Sequence, residues 1–128
     1  MANILIIEDD SSSRMYLVAL LKNAGHSVQE AENGQQCIEQ LNQYHSDLII
    51  TDIFMPTMDG FELLTALKKG HPDSKVIAMS GGGAKMTRRL ILHMAMKLGA
   101  VDCINKPFKS ENVINTVARV LLIRQTVQ

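Results

Sequence analysis

Residues 47–52 read Asp47-Leu48-Ile49-Ile50-Thr51-Asp52, an aliphatic run that ends on a carboxylate. Such a run, with no polar alternation, is the pattern of a strand covered on both faces, as in a parallel sheet with helices on either side. The pattern recurs on both sides of it. Upstream, Asn3-Ile4-Leu5-Ile6-Ile7 ends in Glu8-Asp9-Asp10, and downstream, Val101-Asp102-Cys103-Ile104-Asn105 ends in Lys106-Pro107. If these are neighbouring parallel strands, Glu8, Asp9, Asp52 and the Lys106 ammonium converge at one sheet edge. Carboxylates crowded there repel one another and raise their own pKa values unless a cation joins them. A divalent metal answers that need, and a phosphoryl group is the matching guest.

Between these runs, strand-like and helix-like segments alternate five times. The strands are expected at Ile4–Ile7, His26–Glu30, Leu48–Thr51, Lys75–Met79 and Val101–Asn105. The first helix spans Ser11–Ala24, with Leu17, Leu20, Leu21 and Ala24 on one face and Gly25 as its stop. The second runs from Asn33 or Gly34 to Asn42, with Cys37, Ile38 and Leu41 inward. The third is capped by Asp59, with Glu62 completing a capping-box pattern, and continues through Lys68. A Gly81-Gly82-Gly83 loop leads into a fourth helix, Ala84–Leu98. The last begins at Ser110, places Glu111 in its positively polarised first turn, and turns Val113, Ile114, Val117 and Leu121 inward. Repeated strand–helix units imply right-handed crossovers and a doubly wound α/β sheet. Ligands of such sheets bind outside the carboxyl ends of the strands.

The chain has 128 residues, which reads as one domain (1–128) with no output domain following. Its 46% hydrophobic and 20% charged residues are the balance of a globular protein. Thirteen acidic residues match thirteen basic ones, so nothing in the charge calls for nucleic acid. No apolar run is long enough to span a bilayer, and the chain enters a strand at once without a signal peptide, so a cytoplasmic protein is expected. Cys37 and Cys103 are far apart and read as packed, reduced thiols, and His26, His45, His71 and His93 lack ligand spacing.

Taken in order, these motifs make the chain resemble a stand-alone two-component response-regulator receiver domain. They are Glu8-Asp9-Asp10, Asp52 within Thr51-Asp52-Ile53-Phe54-Met55-Pro56, Met58-Asp59-Gly60, Ser80 after the fourth strand, and Lys106-Pro107-Phe108. The resemblance covers essentially the whole chain. It implies a flavodoxin-like (βα)5 fold with strand order 2-1-3-4-5 and makes Asp52 the phosphoacceptor. A carboxylate is already ionised at neutral pH and needs no general base. Its difficulty is anion attacking anion, which a metal offsets. By the resemblance, Mg2+ (or Mn2+) is held by Asp9, by Asp52, by Glu8 mostly through water, and by the Phe54 backbone carbonyl. Ser80 and Lys106 then hold the phosphoryl oxygens, and Pro107 follows a cis bond. The implied partners are a sensor histidine kinase or histidine phosphotransfer protein and a downstream protein, with no direct nucleic acid and no membrane insertion. The chain is expected as a monomer or weak dimer, and as a switch rather than a turnover enzyme. An alternative is a receiver-fold interaction module that works without phosphorylation. Asp10 also reads simply as an acid at a helix N-terminus.

Two departures stand out. Many receivers carry Tyr or Phe three positions before the lysine, where this chain has Cys103. A thiol cannot fill the space of a ring that changes rotamer, so output is expected to pass through the Ser80 loop and the fourth helix. That loop, with three glycines, is predicted to be mobile and to order on phosphorylation. The fourth helix carries Lys85, Arg88, Arg89 and Lys97 with Met86, Met94 and Met96. Either Leu90, Met94 and Leu98 pack inward and the bases are solvated, or the helix is a partner surface with adaptable methionines. Leu122, Ile123 and Val127 make the chain's end more apolar than one inner face requires. Flavin-binding and phosphatase proteins of similar fold fit less well. A flavodoxin would need a phosphate-cradling loop where Glu8-Asp9-Asp10 stands, and an Asp-x-Asp phosphatase would need an acid where Phe54 stands.

Overall fold

The computed structural model describes residues 2–55, 58–81 and 87–123. Strands β1 (Asn3–Ile7), β2 (Ser27–Ala31), β3 (Leu48–Asp52), β4 (Lys75–Ser80) and β5 (Asp102–Asn105) alternate with helices α1 (Ser11–Asn23), α2 (Gly34–Leu41), α3 (Gly60–Gly70), α4 (Arg88–Lys97) and α5 (Ser110–Leu121). The strands form one parallel sheet in the order β2-β1-β3-β4-β5. The expected fold class and strand order both hold.

The pleat explains how unbroken aliphatic runs serve two cores. Successive side chains point to opposite faces. Leu5, Ile7, Ile49, Val76 and Ala78 therefore face α2, α3 and α4, where they meet Cys37, Leu63, Leu67, Ile91 and Ala95. Ile4, Ile6, Leu48, Ile50, Ile77 and Met79 face α1 and α5, where they meet Leu17, Leu21, Val113, Val117 and Val120. β2 is an edge strand with only Ala31 buried, which is why its pattern is weak and its observed bounds sit one residue later than expected.

Four helices begin on a side-chain cap, each worth about 1 kcal/mol. Asp10 accepts from the Ser13 amide at 2.8 Å, Asn33 from Gln36 at 2.9 Å, Asp59 from Glu62 at 2.9 Å, and Thr87 from Leu90 at 3.2 Å. Gly25 and Gly99 adopt φ of 96° and 118° just beyond α1 and α4, a conformation that suits glycine at a helix end.

The Thr87 cap corrects the fourth helix. Its backbone is extended (φ −75°, ψ 158°), so a helix does not run unbroken through Thr87 and α4 begins at Arg88, while Ala84 lies outside the described residues. The inward residues are Ile91 and Ala95, one turn apart, with Leu98 packed beside them. Leu90, expected inward, is 46% exposed. In α5, Thr116 and Val120 complete the inner face, while Ile114 turns outward. Ala24, expected on the inner face of the first helix, is exposed and forms its C-cap. Pro56, Gly82, Gly83, Lys85, Met86 and Val127, and with them most of the glycine loop, lie outside the described residues.

Candidate functional site

Each site residue leaves the sheet where its strand stops. Just past β1, the Glu8 amide still donates to the Ala31 carbonyl at 3.2 Å, and its side chain is fully buried. Asp9 follows and is exposed. Asp52 is the last residue of β3 and is 7% exposed. Behind it, the buried Thr51 hydroxyl donates to the Asp52 carbonyl at 3.0 Å. The Phe54 amide donates to Asp52 Oδ1 at 3.4 Å, while the Phe54 ring is exposed. Ser80 ends β4 and is buried. Its carbonyl accepts from the Lys106 amide at 3.0 Å, and the Lys106–Pro107 bond is cis.

Gly60 fixes the floor of this site. Its amide donates to the Ile53 carbonyl at 2.6 Å. A Cβ there would lie 2.5 Å from Ile53 Cα and 2.8 Å from the Asp52 backbone carbonyl oxygen, so the start of α3 reaches the end of β3 only without a side chain.

The expected convergence is observed. One carboxylate oxygen from each of Glu8, Asp9 and Asp52 lies within 4.8 Å of the others. Lys106 Nζ sits 2.6 Å from Glu8 Oε1 and 2.7 Å from Asp52 Oδ2. Burial pushes the Glu8 carboxyl up to about 7, the Asp52 charge adds to this, and the Lys106 ion pair works against it. Burial opposes the Lys106 charge, but hydrogen bonds to Asp52 and Glu8 more than offset it and hold the ammonium above its ordinary pKa. Lys106 is thus the cation among the acids. The donor set is all oxygen and mostly anionic, the chemistry Mg2+ and Mn2+ prefer, and the spacing fits such an ion. The thiols take no part. Burial raises Cys37 to about 12 and Cys103 to about 11.

Two arginines were not evident from sequence. Arg14 in α1, with a side chain only 12% exposed, donates to the Glu8 carbonyl at 2.7 Å and pairs with Glu30 at 2.9 Å. Arg88 donates to the carbonyls of Gly81 and Lys106. Both are cations in the first turn of a helix, where the helix dipole disfavours them. That breach of a local rule is the signal that could have found them.

A sequence profile described as response regulator receiver domain matches residues 4–118. The chain belongs to the response regulator receiver family. This receiver is similar to the chemotaxis protein CheY of Bacillus subtilis (strain 168), at 34% identity over 119 residues, covering 92% of this chain and 96% of that one. It is also similar to the response regulator receiver protein CpdR of Brucella abortus (strain 2308), at 31% over 127 residues, covering 95% and 98%. The crystal structure of the receiver domain of NtrX from Brucella abortus superposes with a TM-score of 0.87 at 29% identity, covering 94% of this chain and 99% of that one. Among the described residues, no helix is long and apolar enough to cross a membrane.

Proposed function

We propose that this receiver is a phosphorylation switch whose phosphoacceptor is Asp52. The observation that carries the reading is the near-buried Asp52 carboxylate, with Lys106 Nζ 2.7 Å from one oxygen and two further acids beside it. The donor is a phosphohistidine of a sensor kinase or phosphotransfer protein. An Asp52 carboxylate oxygen attacks the phosphorus, the phosphorus–nitrogen bond breaks, and its electron pair returns to the donor imidazole. The product is an acyl phosphate. Lys106 shifts from the acids toward a phosphoryl oxygen and neutralises charge there. The Ser80 hydroxyl, buried at the end of β4, donates to another. Glu8, Asp9 and Asp52, with the Phe54 carbonyl, would hold Mg2+ or Mn2+, which supplies charge neutralisation and alignment when bound.

The phosphoryl group brings on the order of −1.5 to −2 charge. We assign the response to the surface of α4, β5 and α5. On α4, Thr87, Arg89, Leu90, Leu92, His93 and Met96 line a groove of about 490 Å³, and its apolar floor with a basic rim suits a downstream protein. Cys103 is half-buried against the core beneath α4, so the signal travels through the Ser80 loop and α4 rather than through a ring. On this reading the protein is cytoplasmic, a monomer or weak dimer, and not a turnover enzyme.

Intact mass after incubation with acetyl phosphate and Mg2+ tests the assignment. One added phosphoryl group is expected on the wild type and none on Asp52→Ala. If the wild type takes none from acetyl phosphate or from a panel of histidine kinases, the chain is an interaction module that works without phosphorylation.

A further inference from the structure

The β4–β5 ladder ends where the Lys106 amide meets the Ser80 carbonyl, at 3.0 Å. Beyond that rung the two segments remain close, since a Cβ on Gly81 would lie 3.4 Å from Lys106 Cβ. The next rung is made by a side chain. Arg88 Nε donates to the Gly81 carbonyl at 3.3 Å, and Arg88 Nη2 donates to the Lys106 carbonyl at 2.9 Å. A guanidinium presents several donors in a fixed plane and can span two carbonyls, whereas an ammonium is a single point. Arg88 is also the first residue of α4, where a cation works against the helix dipole. Its place is therefore explained by the two carbonyls and not by the helix.

We propose that Arg88 is a positioning residue for phosphoryl capture: by bridging the Gly81 and Lys106 carbonyls it sets the separation of Ser80 from Lys106 and ties that separation to the first turn of α4. The inference rests on the phosphorylation reading above and deepens it. When Ser80 and Lys106 close on a phosphoryl group, the two carbonyls move relative to each other, and the guanidinium carries that movement into α4. This gives a receiver with Cys103 at the aromatic position a direct connection between site and output helix.

Beryllofluoride with Mg2+, a phosphoryl mimic, tests this on the full chain with Arg88→Gln and Arg88→Lys. Losing the two charge-assisted bonds is expected to weaken mimic binding about tenfold in Arg88→Gln. The affinity for Mg2+ alone and the thermal midpoint should stay at wild-type values. Arg88→Lys should recover only part of the loss. In the wild type the mimic should slow amide hydrogen exchange in the first turn of α4, and in Arg88→Gln it should not. Wild-type mimic affinity in Arg88→Gln overturns the proposal. So does a joint fall in midpoint, Mg2+ affinity and mimic affinity, because Arg88 would then be structural only. If the wild type itself binds no mimic, the phosphorylation reading fails, and exchange of the Lys106 amide still decides the bridge. Faster exchange in Arg88→Gln supports it, and an unchanged rate refutes it.

Discussion

In β1 and β3 every residue but Asn3 is buried, whereas in β5 only Ile104 is. The helices follow the same division. α3 buries Gly60, Leu63, Leu64 and Leu67, while α4 leaves Leu90, Leu92 and Met96 exposed and α5 leaves Ile114 out. The acids come from the densely packed strands, and Lys106 comes from the edge strand. The site therefore has one wall packed on both faces and a second, more exposed wall held by the β4–β5 ladder and the buried Ile104. On the proposed reading, a phosphoryl group between them would meet a densely packed surface on one side and a more exposed one on the other.

The largest effect should come from removing the second wall's charge. Lys106→Ala is predicted to slow phosphorylation by acetyl phosphate by a factor of about 10² to 10³, read as the rate of adduct formation by mass. A rate within threefold of wild type would make both walls equivalent.

Packing should separate the regions next. Ile50→Ala, at a fully buried site, is expected to cost about 2–5 kcal/mol, and Leu122→Ala, on an exposed residue at the end of α5, less than about 0.5 kcal/mol, by urea denaturation. Equal costs would erase the contrast. Gly60→Ala should cost about 1–3 kcal/mol because its Cβ meets backbone, whereas Gly81→Ala meets only an ordinary contact at 3.4 Å and should be close to neutral.

A further contrast concerns pH. Glu8 holds its proton to about 7 in the folded receiver, against an ordinary 4.5. Between these values the folded state binds more protons than the unfolded chain, so stability falls as pH rises through that window. In EDTA, the wild type should lose about 1–3 kcal/mol from pH 4.5 to pH 7.5 relative to Glu8→Gln. Parallel urea midpoints for the two proteins would refute this.

β1, β3 and β4 were legible because burial on both faces demands unbroken aliphatic runs, and the cap at Asp59 because its acceptor lies three residues from its donor. The start of α4 was not. Ala84-Lys85-Met86 has good helix propensity, and only the extended backbone of Thr87 sets where the turns begin and which apolar residues face in. With the phase set there, Ile91 and Ala95 face the core and Leu90 faces outward. The acids and Lys106 were legible as strand-end residues, since topology brings strand ends together. Arg14 and Arg88 reach carbonyls of distant segments through long side chains, and no local periodicity encodes such contacts.

The Lys106 ammonium pairs with partners 98 and 54 residues earlier in the chain. Contacts across such separations close large loops and are entropically the most expensive to form early. The fifth strand is also the last to leave the ribosome. A chain synthesised only through β4 thus has Glu8 and Asp52 but not the Lys106 that pairs with them. If Asp52 is the phosphoacceptor as proposed, competence to accept phosphate arrives with completion of the sheet, and the topology itself would keep partly synthesised or incompletely folded copies out of the signalling pool.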